Sequence, residues 1–359
     1  MKAINHLVRI MLFLLAGAFF FISCKQNPYE ASITDKDGIE VAVLHDHKNN
    51  VQVNIAVSIG NTMYQLLVND SNELHFPVTL KDYQTTHDKH GNPFMYPWGN
   101  RLEGYYYYFN DRKINVDTTI PSLYFQRDGN NLPLHGYMVK TDAWETINYQ
   151  ASNDQGATHT AQIKFAEHPK LMKNYPFPHI LEMRHSLKDG EVTIQVSVEN
   201  TGEQNMPLAY GFHTYYKIPD MDKHNTYLNI PADKYFELDS LSLPTGTLRN
   251  ISDFISAPHH YRLGKKKIDH IFTKFHQAND PFATFSLQKP QHSIGIHVGK
   301  DYRYTTVYSP INQGTKFICI EPMMAPTNGF NLYHKEKWDH LPIVKPGETK
   351  SSTFKITVP

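Results

Sequence analysis

The sequence predicts an all-β protein, a large antiparallel β-sandwich, and three observations carry that expectation. Segments with strict alternation dominate: "QVNIAVSIG" (Gln52 to Gly60), "VTIQVSVEN" (Val192 to Asn200), "HSIGIHV" (His292 to Val298) and "FKITV" (Phe354 to Val358). A period of two sends successive side chains to opposite faces of a strand. No stretch has the apolar spacing of a long amphipathic helix, and Ser240 to Leu243 suffices only for a turn. The 22 prolines fall between the strand candidates, where they punctuate connections. Many short strands joined by irregular connections favour two packed sheets.

The chain opens with a segment that stands outside the fold. Lys2 and Arg9 precede "IMLFLLAGAFFFIS" (Ile10 to Ser23), a positive region followed by an apolar run too short for a comfortable membrane span. Residues 1–23 are therefore expected to be a signal peptide. The ending "FISC" resembles a bacterial lipobox, with Phe21 where leucine is commonest, and predicts lipidation of Cys24. An ordinary signal peptide or an uncleaved anchor is the alternative. Each version exports the chain, and the lipidated one makes it a cell-envelope lipoprotein, periplasmic or attached to the outer membrane. Residues 24–40 are read as the lipidated N-terminus and a tether, and residues 41–359 as one domain, since no repeat or composition shift divides them. Cys319 is the one other cysteine, so lipidation of Cys24 leaves no partner for an intramolecular disulfide.

Within the domain, "LEMRHSL" and "VTIQVSVEN" flank Lys188-Asp189-Gly190-Glu191, and the Asp-Gly pair signals a hairpin. "FICIEPMMAPTNGF" (Phe317 to Phe330) reads as a strand on which Phe317, Cys319 and Glu321 share a face. Pro322 cannot donate to a ladder and is expected to end it.

Charge excludes some partners. Lys+Arg and Asp+Glu balance at 35 each with no long basic run, which argues against nucleic acid. His45 and His47 have the spacing of one strand face and could seed a metal site, but no further ligand is evident beside them. A solvated turn is the expectation there, and no metal or cofactor is expected. His259-His260 reads as loop, and Lys265 to Lys267 as a solvated turn. Neither a Gly-x-Ser-x-Gly elbow nor a glycine-rich phosphate loop occurs.

Five polar residues sit inside or beside apolar or aromatic runs. Arg101 follows Asn100 in "PWGNRLEGYYYYFN", His135 precedes Gly136 in "LHGY", His213 lies in "GFHTYYKI", Asp269 in "KIDHIF" and Glu321 in "IEPMMAPTNGF". Glycine after His135 permits an unusual conformation or a close approach of the backbone to a ligand. Taken in order, these stretches resemble the aldose 1-epimerase (galactose mutarotase) family over about Tyr96 to Phe330. Thr214 and Tyr216 replace the proline and phenylalanine that usually follow the second histidine of that family. The resemblance implies a galactose mutarotase-like supersandwich with a sugar cleft on a concave face. It implies that His213 and Glu321 are the acid–base pair and that Arg101, His135 and Asp269 hold a free aldose.

That chemistry suits the residues. Anomer exchange moves one proton off the C1 hydroxyl and another onto the ring oxygen, so it needs a base and an acid set across the sugar. A carboxylate on an apolar strand face is desolvated and becomes a stronger base, while a histidine titrates near neutrality. Trp98 and the nearby tyrosines could stack on the sugar, although core packing suits most of them better. The alternative is a non-catalytic carbohydrate-binding lipoprotein of the same fold. A polysaccharide-processing enzyme is a third reading, weakened by the lack of an additional catalytic domain.

Overall fold

The Asp189-Gly190 turn shows how sequence becomes sheet in this molecule. Both residues have positive φ (49° and 75°), the conformation of a tight hairpin turn. The turn joins His179–Lys188 to Glu191–Asn200 in register from Lys188 opposite Glu191 to His179 opposite Asn200. Val192, Ile194, Val196 and Val198 are fully buried, and the intervening side chains face outward.

The computed structural model describes residues 27–359 except 122, 278, 279, 312 and 313. The signal-peptide and Cys24 expectations lie outside the described residues. Among these residues the protein is an antiparallel β-sandwich built from a nine-stranded, an eight-stranded and a five-stranded sheet, with smaller two-stranded pieces. Its α-helices are short: Leu80–Thr85, Pro169–Asn174 and Gly329–His334.

The nine-stranded sheet contains the hairpin, and Thr349–Thr357 lies against it with Ile194 opposite Phe354. In the eight-stranded sheet, Ile268–Phe275, Tyr304–Ser309 and Phe317–Met323 are successive neighbours. Gly211–Phe212 and Thr214–Lys217 run along the far side of Phe317–Met323. These two sheets meet face to face. The Phe212 and Phe354 rings are 4.9 Å apart, and Ser352 bonds to both Tyr210 and Tyr302 at 2.8 Å. One continuous core joins them.

Two expectations need correction. Residues 29–36 are not a tether: Tyr29–Lys36 pairs with Ile39–Asp46 from Tyr29 opposite Asp46 to Lys36 opposite Ile39. Asp37 and Gly38 turn the chain at φ 60° and 81°, so the segment folds by the same Asp-Gly signal as the later hairpin. The second concerns Pro322, which does not end its strand. Phe317–Met323 continues through it, with Thr305 opposite Pro322 and Gly211 opposite Met323. A proline is tolerated where its nitrogen owes no ladder bond. Gly211 is required beside it, because a Cβ there would lie 2.5 Å from the Pro322 carbonyl oxygen.

Candidate functional site

Strand alternation aims the site's side chains. Phe212 and Ile320 enter the inter-sheet core, so His213 and Glu321 face the opposite side of the sheet. Thr214 pairs with Ile320 and Gly211 with Met323 in one register, which sets His213 opposite Glu321. One rung along the same face runs from Asp269 through Tyr308 and Cys319 to Tyr215. The sheet thus brings Asp269, Glu321 and His213 together from segments far apart in sequence.

Arg101 and His135 come from the loops beside the sheet. Asn100 and His135 both have positive φ (57° and 62°), and the His135 amide donates to the Asn100 carbonyl at 2.8 Å. Gly136 is fixed by close approach: at φ 69°, a Cβ would stand 2.0 Å from the Tyr96 carbonyl oxygen. Of the two expectations for this glycine, the unusual conformation is observed, and the close neighbour is the protein's own chain rather than a ligand. Arg101 donates from Nε to Asp128 Oδ2 at 2.6 Å and from Nη1 to Asn100 Oδ1 at 2.9 Å. Burial opposes ionisation of Asp128, but the Leu132 and Asn130 amides and the guanidinium outweigh it and hold its carboxyl below the usual range.

The five residues expected to handle the sugar line one cavity of about 310 Å³: Arg101, His135, His213, Asp269 and Glu321. That volume suits a small ligand. Lys89, Tyr215, Lys267 and Tyr308 line it too and were missed. Lys89 belongs to "TTHDKHGNP", a polar stretch that reads as exposed loop, and no sequence pattern marks it. Trp98 is not at the site; it is buried in the core against Tyr107 and Tyr137.

At the cavity floor, His213 Nε2 lies 3.2 Å from Glu321 Oε1. The two stand side by side rather than across a ligand. Burial, reinforced by Asp269, drives the Glu321 pKa well above the usual carboxylate value, against the pull of Lys89 and Arg101. Burial and then the Lys89 charge hold His213 well below its ordinary value. His213 is thus not poised near neutrality by itself, as its residue type suggests: burial favours the uncharged form of both groups. His135 is also pushed far down, by burial and then by Lys89. Its ring meets His213 edge-on at 4.8 Å, while Tyr215 stacks on His213 at 4.6 Å. Asp269 is partly exposed and pairs with Lys267 at 3.3 Å.

Nδ1 of His135, Nδ1 of His213 and Oε2 of Glu321 are buried and make no hydrogen bond within the protein. Buried polar atoms rarely stay unpaired, and all three belong to residues that line the cavity. Thr214, where the family usually has proline, gives its hydroxyl to Asn92 Oδ1 at 2.7 Å. It ties the His213 strand to the segment beside it, a use a proline could not serve.

Among the described residues, two groups offer metal-type ligand atoms within 4.8 Å of one another: His213, Cys319 and Glu321 in the site, and Glu30, His45 and His47 on the surface. In the first, burial and then Glu321 push the Cys319 thiol well above its ordinary pKa, which disfavours the thiolate a metal would need. In the second, Glu30 supplies the third group absent from the sequence reading, because it sits opposite His45 in the strand taken for tether.

A β-sandwich with a buried carboxyl–imidazole pair in a polar cavity defines a class of protein able to bind a small polar ligand. The profile of the Aldose 1-epimerase family matches residues 42–357, and the chain belongs to that family. A galactose mutarotase-like protein from Clostridium acetobutylicum superposes with a TM-score of 0.80 at 17% identity, over 92% of this chain and 99% of its own. Galactose 1-epimerase from Lactobacillus acidophilus NCFM superposes with a TM-score of 0.70 at 15% identity, over 92% and 99%. The uncharacterized protein YihR of Escherichia coli (strain K12) is 22% identical over 67% of this chain and 72% of its own.

Proposed function

We propose that this protein is an aldose 1-epimerase that interconverts the anomers of a free aldose by ring opening and closure. The buried Glu321–His213 pair, 3.2 Å apart with a further polar atom unspent on each partner, carries this reading. The two oxygens that must exchange protons, the C1 hydroxyl and the ring oxygen, are bonded to one carbon. A base and an acid lying side by side can therefore serve both. With Glu321 ionised and His213 protonated, Glu321 takes the hydroxyl proton as the C1–O bond becomes a carbonyl. The C1–ring oxygen bond breaks, and His213 gives its proton to the departing oxygen. Rotation about C1–C2 and the reverse transfers close the other anomer. Burial favours the uncharged form of both groups. Lys89 draws Glu321 toward its ionised form and opposes the protonated form of His213, so the hydrogen bonds of the bound sugar must supply the rest of the ionised state.

Arg101, clamped by Asp128 and Asn100, and His135 donate to sugar oxygens, and Asp269 accepts from neighbouring hydroxyls. The test is NMR exchange spectroscopy on a panel of free aldoses with purified protein: exchange faster than buffer is expected, and its absence with every aldose overturns the reading. We also propose that the chain is exported and anchored through lipid on Cys24, on the strength of the apolar run Ile10 to Ser23. Mass spectrometry should find an acylated N-terminus at Cys24, and Cys24→Ala should yield unprocessed or soluble protein. An unmodified N-terminus at another residue contradicts the anchor.

A further inference from the structure

Lys89 is 8% exposed, lines the cavity, and makes no hydrogen bond or ion pair with another described residue. The other cations of the cavity are already paired, Arg101 with Asp128 and Lys267 with Asp269. Burial of a lysine without an ion-pair partner is penalised, and it drives the Lys89 pKa down to about 7 despite the pull of Glu321 and Cys319. Glu321 is the charge that pulls most on Lys89, but no ion pair joins the two and the close partner of that carboxyl is His213. The site thus holds a positive group that the acid–base couple does not neutralise.

Its place in the sheet says what it faces. Going across the sheet, Asp269 stands on Ile268–Phe275, Glu321 two strands on, and His213 beside it. Beyond His213 runs the segment 91–95, held by the His213 amide on the Pro93 carbonyl and the Tyr215 amide on the Gly91 carbonyl. Lys89 lies just before that segment, and it is the charge that acts most on both His213 and His135. Lys89 therefore occupies the histidine end and Asp269 the opposite end. With the C1 hydroxyl at Glu321, Asp269 meets the hydroxyls that follow from C1, and His213 meets the ring oxygen. The other neighbour of the ring oxygen is the carbon that bears the exocyclic carbon. In this orientation the substituent would extend past His213 to the Lys89 end of the cavity.

We propose that the cleft takes an aldose with an acidic group on its exocyclic carbon, and that Lys89 is the counter-ion of that group. The proposal rests on the epimerase reading for the orientation of the sugar. A carboxylate, as in a hexuronic acid, and a phosphate, as in a hexose 6-phosphate, share the required chemistry. Anomer exchange is measured by NMR for a hexose, its 6-phosphate and its uronic acid, with wild type and Lys89→Met. For at least one acidic form, kcat/KM should exceed that of the parent hexose by roughly 10- to 100-fold, the usual worth of a charged hydrogen bond. The ratio should collapse toward one in Lys89→Met. Because it is a ratio, partial loss of folded variant does not change it. The better acid identifies carboxylate or phosphate as the matched group. Wild type that prefers the parent hexose, or a preference for acid that survives in Lys89→Met, overturns the inference and leaves the epimerase reading standing. Calorimetric binding of an acidic sugar that depends on Lys89, without exchange, does the reverse.

Discussion

Two carboxyl–imidazole contacts in this protein have nearly the same length and different surroundings. His213 Nε2 and Glu321 Oε1 are 3.2 Å apart, with side chains 7% and 1% exposed. His47 Nε2 and Glu30 Oε2 are 3.3 Å apart, with side chains 49% and 63% exposed. Only the first lies in a cavity with unspent buried polar atoms around it. Distance by itself makes neither contact a site. Burial removes the water that would hold each charge in place, and proton affinity then depends on the neighbours. At the surface, solvent screens the pair and leaves it worth little.

The largest effect should separate the two contacts by activity. His213→Asn keeps a hydrogen-bonding side chain but cannot carry the proton, and exchange should fall roughly 10²–10⁴-fold. Glu30→Gln should leave exchange unchanged, as measured by NMR on the same aldose. Equal losses would show that the contact at the cavity floor has no special role.

A second, smaller effect concerns stability and follows from burial. His179 and His159 are pushed down to about 4 and His185 to about 3, each by burial first. Below about 6.5 the unfolded chain takes up protons at these positions that the folded chain refuses, down to their folded pKa values. Stability is therefore full above that pH and falls as pH drops from about 6.5 toward 4, so the melting temperature should decline across that window. Replacing buried His185 with Gln should flatten the decline, and replacing exposed His47 should not. A melting temperature flat from pH 6.5 to 4 would contradict this.

The smallest expected effect is none at all. Exhaustive chelation should leave exchange intact, because the proposed chemistry moves only protons. Loss of exchange restored by one metal would turn attention to Glu30, His45 and His47, or to Cys319 beside the acid–base pair.

The same contrast explains what the sequence revealed. Glu321 and His213 were legible because a charged or polar residue inside an apolar strand contradicts its pattern, and because "IEPMMAPTNGF" and "GFHTYYKI" carry family motifs. The hairpin at Asp189-Gly190 was legible from local turn chemistry. The strand Tyr29–Lys36 carried the same Asp-Gly signal at 37–38 but was passed over beside the export segment. Pro322 misled because its effect depends on which side of the strand its missing donor faces, a property of the partner strands. Lys89 was invisible for a related reason. A lysine in a polar loop looks solvated until tertiary packing covers it, and no short motif records that packing.

The central claim is that Glu321 is the base of anomer exchange, and it is tested most directly by measuring rate and affinity together on one sugar. NMR exchange gives the rate, and calorimetry on the same preparation gives the affinity, for wild type and Glu321→Gln. The expected result is exchange well above buffer for wild type, a loss of roughly 10²–10⁴-fold in the variant, and affinity nearly unchanged. Wild type that binds the aldose yet exchanges its anomers no faster than buffer would contradict the claim and leave a sugar-binding protein in its place.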